Sequence, residues 1–185
     1  MMLALDLSTN AGWAYGQPWT GLPRMKCGTW KLPEGTHQER ARAVALALSR
    51  FLANHPVELA GIEIPQAGVP VRKVQVRDAF GVREETRVMG SGKTQNLLWS
   101  LNAACQGVFT VHGIPVRDIG VGEWRKAIFG NGSINGVESK RRSKAELIRM
   151  GVEVANQDEG EAGMMLCWLN NHLRRVLAEV ANQKR

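Results

Sequence analysis

A chain of 185 residues can bury one full hydrophobic core, and it is near the upper end of the common size of a single domain. Its 24 Lys and Arg residues outnumber its 17 Asp and Glu residues, and the resulting net charge of +7 favours a polyanionic partner such as nucleic acid. No stretch is apolar enough for a membrane span, so we expect no membrane segment. The three cysteines, Cys27, Cys105 and Cys167, are isolated from one another, so we expect neither a disulfide framework nor a zinc site, and we expect the chain to reside in the reducing cytoplasm.

Apolar periodicity predicts the order of the secondary structure elements along the chain. Three short apolar runs at the start, separated by turn-prone residues, predict antiparallel strands at 2–7, 12–16 and 28–32. Two later runs predict strands at 59–64 and 114–119. Amphipathic segments predict helices at 38–54, 94–107, 121–129, 143–150 and 158–182. This order predicts an α/β domain with a central mixed sheet flanked by helices.

Four carboxylates stand at informative places in these elements. Asp6 ends the first apolar run, Glu63 lies in the strand 59–64, and Asp158 and Glu161 share one face at the start of the last helix. Acidic groups beside apolar strands are costly unless a cation neutralises them, and a divalent metal can do this for all four. The pattern predicts a metal-dependent phosphodiester hydrolase. The alternative is that Asp158 caps the helix, Glu161 completes the cap, and Glu63 is a surface residue at a strand end.

Several segments resemble the RuvC-like Holliday junction resolvases, which have the ribonuclease H fold. The run 3–16 resembles the first motif of that family, 62–65 its second acidic strand, and 158–162 its closing acidic pair. Between them, 124–132 and 143–147 are similar to the family's glycine turn and lysine-bearing helix start. The resemblance spans nearly the whole chain in the expected order. It implies a ribonuclease H-like nuclease domain over residues 1–185 that cleaves four-way DNA junctions as a homodimer.

The resemblance also implies roles for individual residues. Two Mg²⁺ ions per active site, with Mn²⁺ as a substitute, suit the hydrolysis of a phosphodiester. Asp6 would bind both ions, Glu63 and Asp158 one ion each, and Glu161 would be a further ligand or would position water. Lys144 matches the family's lysine near the scissile phosphate, where it would stabilise transition-state charge.

The chain departs from the family pattern in three respects. Glu161 stands where the family has an aspartate, and basic stretches at about 66–92 and 133–142 look inserted. We expect the first to be a loop that becomes ordered on branched DNA, with Phe80 as a wedge at the branch point. The alternatives are a local packing role for Phe80 and ordinary solvated loop charge. The residues expected to contact DNA are Arg72, Lys73, Arg77, Phe80, Arg125, Lys140, Arg141 and Arg142.

Other functions remain open at this point. The substrate could be a flap or another branched DNA, or the chain could bind nucleic acid without cleaving it. Asp6-Leu-Ser-Thr9 also resembles the phosphate loop of sugar kinases and actin-like ATPases, although those usually need far longer chains. Gly90–Thr94 is not a P-loop, because Arg87 stands where the first glycine is required. The helix 94–107 has apolar residues on more than one face, which allows a dimer contact or burial inside a monomer.

Overall fold

The computed structural model describes residues 1–17, 24–65, 71–78, 81–88 and 92–183. The strands are β1 (Met2–Asp6), β2 (Asn10–Gly16), β3 (Met25–Lys31), β4 (Leu59–Glu63), β5 (Val71–Asp78), β6 (Gly81–Val88) and β7 (Val116–Ile119). The helices are α1 (His37–Asn54), α2 (Gly92–Val111), α3 (Val121–Phe129), α4 (Gly136–Arg149) and α5 (Gln157–Gln183). None of the helices in these ranges is both long and apolar enough to cross a membrane.

Five strands form a central mixed sheet in the order β3-β2-β1-β4-β7. The first three strands are antiparallel, whereas β4 runs parallel to both β1 and β7. Parallel neighbours end at the same edge of a sheet. With Leu5 paired to Ile62, the last residues of β1 and β4, Asp6 and Glu63, therefore lie side by side. The predicted sheet with three antiparallel first strands is confirmed.

Helices cover both faces of the sheet, which explains why β1 is apolar at every position before Asp6. Leu3 and Leu5 pack in a core with residues of α1 and α2, whereas Met2 and Ala4 pack in a second core with residues of α3, α4 and α5. Alternate side chains of a strand point to opposite faces, so a strand buried on both faces needs a continuous apolar run.

Helix α4 begins earlier than the sequence predicts. Its first residue is Gly136 rather than 143, because the Asn135 side chain caps the helix by accepting a hydrogen bond from the Glu138 amide at 2.9 Å. Arg141 and Arg142 then form ion pairs with Glu138 one turn away. Most of the stretch 133–142, which looked like an inserted loop, is therefore the first half of this helix.

The stretch 66–92 contains a hairpin, where the sequence analysis predicts a loop. Strands β5 and β6 pair antiparallel from Val71 opposite Val88 to Asp78 opposite Gly81, and they form a two-stranded sheet separate from the central one. Valines recur along both strands among charged residues, which is compatible with a solvated hairpin. Phe80 lies outside the described residues.

Candidate active site

The structure brings together all four predicted carboxylates. Asp6 and Glu63 come from adjacent strand ends, and Asp158 and Glu161 come from the start of α5, which packs across β1 and β2. Gly12 of β2 makes this approach possible, because a β-carbon there would lie 2.3 Å from the backbone oxygen of Asp158. Coulombic interactions couple Asp6 to the other three carboxylates.

Asp6 is the buried centre of the cluster. The residue is 4% exposed, and among the described residues its Oδ2 atom has no hydrogen-bond partner. Burial raises the pKa of Asp6 well above its usual value, and the negative charges of Glu63 and Glu161 raise it further. The protein side chains around Asp6 therefore leave its negative charge incompletely compensated.

Glu63 is held by an indole. Its Oε1 accepts a hydrogen bond of 2.8 Å from Nε1 of Trp124, a residue of α3 that is fully buried. Burial raises the pKa of Glu63, although the Trp124 hydrogen bond opposes that rise. A cleft of about 260 Å³ adjoins Glu63 and is lined also by Leu7, Gln95 and Arg125.

Glu161 is the most buried of the four carboxylates. It is 2% exposed, and its Oε1 accepts hydrogen bonds from Ser139 Oγ at 2.6 Å and from Arg125 Nη2 at 3.0 Å. Arg125, expected at the DNA surface, has a side chain only 11% exposed and forms an ion pair inside the site.

Asp158 and Glu161 are not the cap of α5. Asn156 takes that role, because its Oδ1 accepts a hydrogen bond from the Glu159 amide at 3.0 Å. Glu159 in turn accepts a hydrogen bond from the Ala155 amide at 2.7 Å. The capping alternative is therefore wrong, and both carboxylates are available to the cluster.

Lys140 is the lysine that reaches the carboxylates. Its Nζ lies 2.5 Å from Asp158 Oδ1 and 3.9 Å from Glu161 Oε2. Burial alone would lower the pKa of Lys140, but Asp6, Asp158 and Glu161 outweigh burial and raise it. Lys144 lies one turn farther along α4, where its ammonium donates a hydrogen bond of 2.7 Å to the carbonyl of Ala155.

The residues expected to contact DNA are found in different settings. Arg141 and Arg142 are exposed and paired with Glu138, and Arg77 is exposed on β5. The side chains of Arg72 and Lys73 lie outside what the structure describes, as does Phe80.

Sequence reasoning missed Trp124 and Ser139 as members of the site. A buried indole N–H needs a hydrogen-bond acceptor, so a tryptophan at the start of a predicted helix was one available signal. The pattern Asn135-x-x-Glu138 was another, because it predicts a helix start that places Ser139 and Lys140 in the first turns of α4.

Two of the four carboxylates in the cluster form ion pairs with cationic side chains. Among the described residues, no three acidic, histidine or cysteine side chains are placed to hold one metal ion together. Lys140 and Arg125 instead pair with Asp158 and Glu161. The donor chemistry nevertheless fits hard divalent cations, because all four side chains are carboxylates and Asp6 has a buried oxygen without a hydrogen-bond partner in the described part of the chain.

Comparisons with known proteins agree with this architecture at the level of the fold. No protein-family model and no curated protein matches the chain in sequence. Among solved structures, RuvC of Thermus thermophilus matches with a TM-score of 0.57 and 14% identity over 88% of this chain and 90% of that chain. A structure of T. thermophilus RuvC in complex with a Holliday junction substrate matches with a TM-score of 0.59 and 15% identity, over 89% of this chain and 92% of that one. The chain therefore has the RuvC-like form of the ribonuclease H-like fold.

Proposed function

We propose that this chain is a metal-dependent, structure-selective DNA endonuclease that cleaves Holliday junctions. The observation that carries the proposal is the convergence of Glu63, Asp158 and Glu161 on the buried carboxylate of Asp6 in a RuvC-like fold. Further support comes from the net charge of +7, which suits a polyanion, and from the similarity to a RuvC structure that contains a Holliday junction.

Asp6, Glu63, Asp158 and Glu161 would hold two Mg²⁺ or Mn²⁺ ions. When bound, such ions lower the pKa of water and neutralise charge on the phosphate. The side chains supply the anchoring charge, and the helix N-terminus at α5 favours the negative charges of Asp158 and Glu161. The ion pair between Lys140 and Asp158 must loosen as cations bind.

Lys140 is the better placed of the two candidate lysines for stabilising transition-state charge. Its ammonium is already at the carboxylate cluster, whereas that of Lys144 is engaged by a backbone carbonyl. The resemblance gives this role to Lys144, but we assign it to Lys140. The Lys140 ammonium would turn from Asp158 to the scissile phosphate once cations neutralise the carboxylates.

The DNA would run from this cluster along the hairpin β5–β6 and the exposed arginines of α4. Arg77, Arg141 and Arg142 would contact phosphates, which gives affinity without sequence preference. We also place Arg72, Lys73 and Phe80 on this path. A homodimer would present two such sites to the two symmetric strands of a junction. The free thiols of Cys27, Cys105 and Cys167 suit the reducing cytoplasm, where we place the protein.

The test is cleavage of end-labelled four-way junction, flap, duplex and single strand by the purified protein. We expect paired, symmetric nicks in the junction with Mg²⁺ or Mn²⁺, none with EDTA, and none from Asp6→Asn. Preferential cutting of flaps would redirect the proposal to another branched DNA. Tight junction binding without cleavage under any divalent ion would reduce the chain to a binding module, and a requirement for ATP would indicate the actin-like alternative.

A further inference from the structure

Two consecutive residues of α3 reach two different glutamates. Trp124 donates its indole N–H to Glu63, which lies at the end of β4, and Arg125 donates from Nη2 to Glu161 of α5. Neighbouring positions on a helix point about 100° apart, so α3 can serve both carboxylates from one rigid segment. Ser139 of α4 donates to the same oxygen of Glu161 that Arg125 contacts.

The donors are themselves held in place. Trp124 is fully buried in the core formed with α5, and its ring contacts Phe129 at a centroid distance of 5.9 Å. The Arg125 guanidinium lies over the Trp124 ring at 5.4 Å, and its Nη1 lies 3.4 Å from the carbonyl of Ile134. Neither side chain can turn away from its glutamate without disturbing these contacts.

We infer that Trp124, Arg125 and Ser139 are positioning residues that each fix a glutamate by one carboxylate oxygen, so that the other oxygen is presented to the cations of the active site. A glutamate has one more rotatable bond than an aspartate, and ordering it costs more side-chain entropy. Donors that order it in advance lower that cost when a ligand binds. The need is greatest at Glu161, where the resolvase family has the shorter aspartate.

This inference rests on the proposed function, since it concerns the same carboxylate cluster. Its experiment measures Mn²⁺ binding to the DNA-free protein by calorimetry, so the readout does not depend on cleavage. Ser139→Ala removes one hydroxyl from the cluster. Ser143→Ala is the matched control, because Ser143 is equally buried on α4 and its Oγ has no hydrogen-bond partner among the described residues.

A second matched pair tests the indole. Trp124→Phe removes the donor to Glu63. Trp168→Phe is the same substitution at a buried residue of α5, whose ring stacks on His172. We expect Ser139→Ala and Trp124→Phe to weaken Mn²⁺ binding by about 10- to 100-fold, and both controls to stay within about twofold of the parent. In a Glu63→Ala background, Trp124→Phe should cause no further loss, because the acceptor of the indole hydrogen bond is gone.

The outcomes separate the inference from the function on which it rests. If the parent binds Mn²⁺ and the serine pair behaves alike, the positioning role is wrong while the metal site stands. Equal losses in Trp124→Phe and Trp168→Phe would reduce the indole to core packing. If the parent binds no Mn²⁺, both the inference and the metal-dependent function fall. The serine pair remains decisive even if Trp124→Phe does not fold, because a buried Ser→Ala change leaves only a small cavity.

Discussion

At the scale of single residues, burial of the Asp6 carboxylate lowers the stability of the fold. Its carboxylate is buried beside three others, and one of its oxygens has no partner among the described residues. Because its pKa is raised in the fold, its contribution to stability is complete below the pKa of the unfolded chain. That contribution is lost as pH rises through the folded-state pKa. Asp6 therefore makes the metal-free protein less stable at neutral pH than in acid.

Asp6→Asn should raise the melting temperature of the metal-free protein at pH 7 while abolishing cleavage. Removal of the uncompensated charge stabilises the fold, and each kcal/mol gained raises the melting temperature by about 2–4 °C for a chain of this size. Thermal unfolding in EDTA at pH 7 and pH 4.5 measures this, and the gain should shrink at the lower pH. A lower melting temperature at pH 7 would show that Asp6 is compensated.

Glu63→Gln and Asp158→Asn should also abolish cleavage in Mg²⁺ while preserving junction binding, because less negative charge near the phosphates does not weaken binding. Asp158→Asn should not raise the melting temperature, since it removes the nearer of the two carboxylates that pair with Lys140. Filter binding and single-turnover cleavage separate the two effects. A variant that cuts at nearly the parent rate would remove its residue from the site.

The two lysines of α4, Lys140 and Lys144, should differ in how strongly their replacement lowers the cleavage rate. Lys140→Met should lower the single-turnover cleavage rate at saturating junction by about 100- to 1000-fold, the range seen when one group that stabilises transition-state charge is removed. Lys144→Met should change that rate much less, because its ammonium is bound to the Ala155 carbonyl. Affinity should change little in either variant. A larger loss of rate in Lys144→Met would restore the assignment that the family resemblance gives.

At the scale of elements, the hairpin β5–β6 is a sheet of its own beside the central one. It pairs with no strand of the central sheet, and an isolated two-stranded sheet is marginally stable in water. It is the next strand pair after the strand that carries Glu63, so under the proposed function it would select the substrate without altering the carboxylates.

Replacing Val71–Val88 by a short Gly/Ser linker should flatten the preference for four-way junction over duplex while leaving Mn²⁺ binding intact. The central sheet and both cores stay complete in that variant. Arg77→Gln is the milder comparison, and it should weaken binding to junction and duplex by similar factors because one phosphate contact adds sequence-independent affinity for both. If the deletion variant prefers junctions as strongly as the parent, the selectivity lies in dimer geometry.

At the scale of the whole molecule, helices α1 and α2 have apolar side chains that are exposed to solvent. Trp99 is 47% exposed and Val111 86% exposed on α2, and Leu46 is 47% exposed on α1. Leu97 and Leu101 of the same α2 helix are buried in the core. The helix therefore has one face in the core and a second that suits the homodimer proposed above.

Trp99→Glu should shift the protein from dimer to monomer in sedimentation velocity, because it places a charge in an apolar contact. Mn²⁺ binding should persist, while paired cleavage of the junction should give way to single nicks. Ile148→Glu, at an exposed apolar position of α4, is the control and should leave the mass unchanged. A Trp99→Glu variant that remains dimeric would move the interface to another surface.

The sequence alone predicted the strands of the central sheet and the places of Asp6 and Glu63, because short apolar runs and their ends are local properties. It also predicted that Asp158 and Glu161 share a helix face, which follows from their spacing. The tertiary structure alone decided which basic side chains form ion pairs with these carboxylates. Lys140 rather than Lys144 meets them because of how α4 packs on α5, which no window of residues determines. Trp124 and Arg125 lie far along the chain from the glutamates they contact, and only the packing of α3 between β4 and α5 brings their donors within hydrogen-bonding distance.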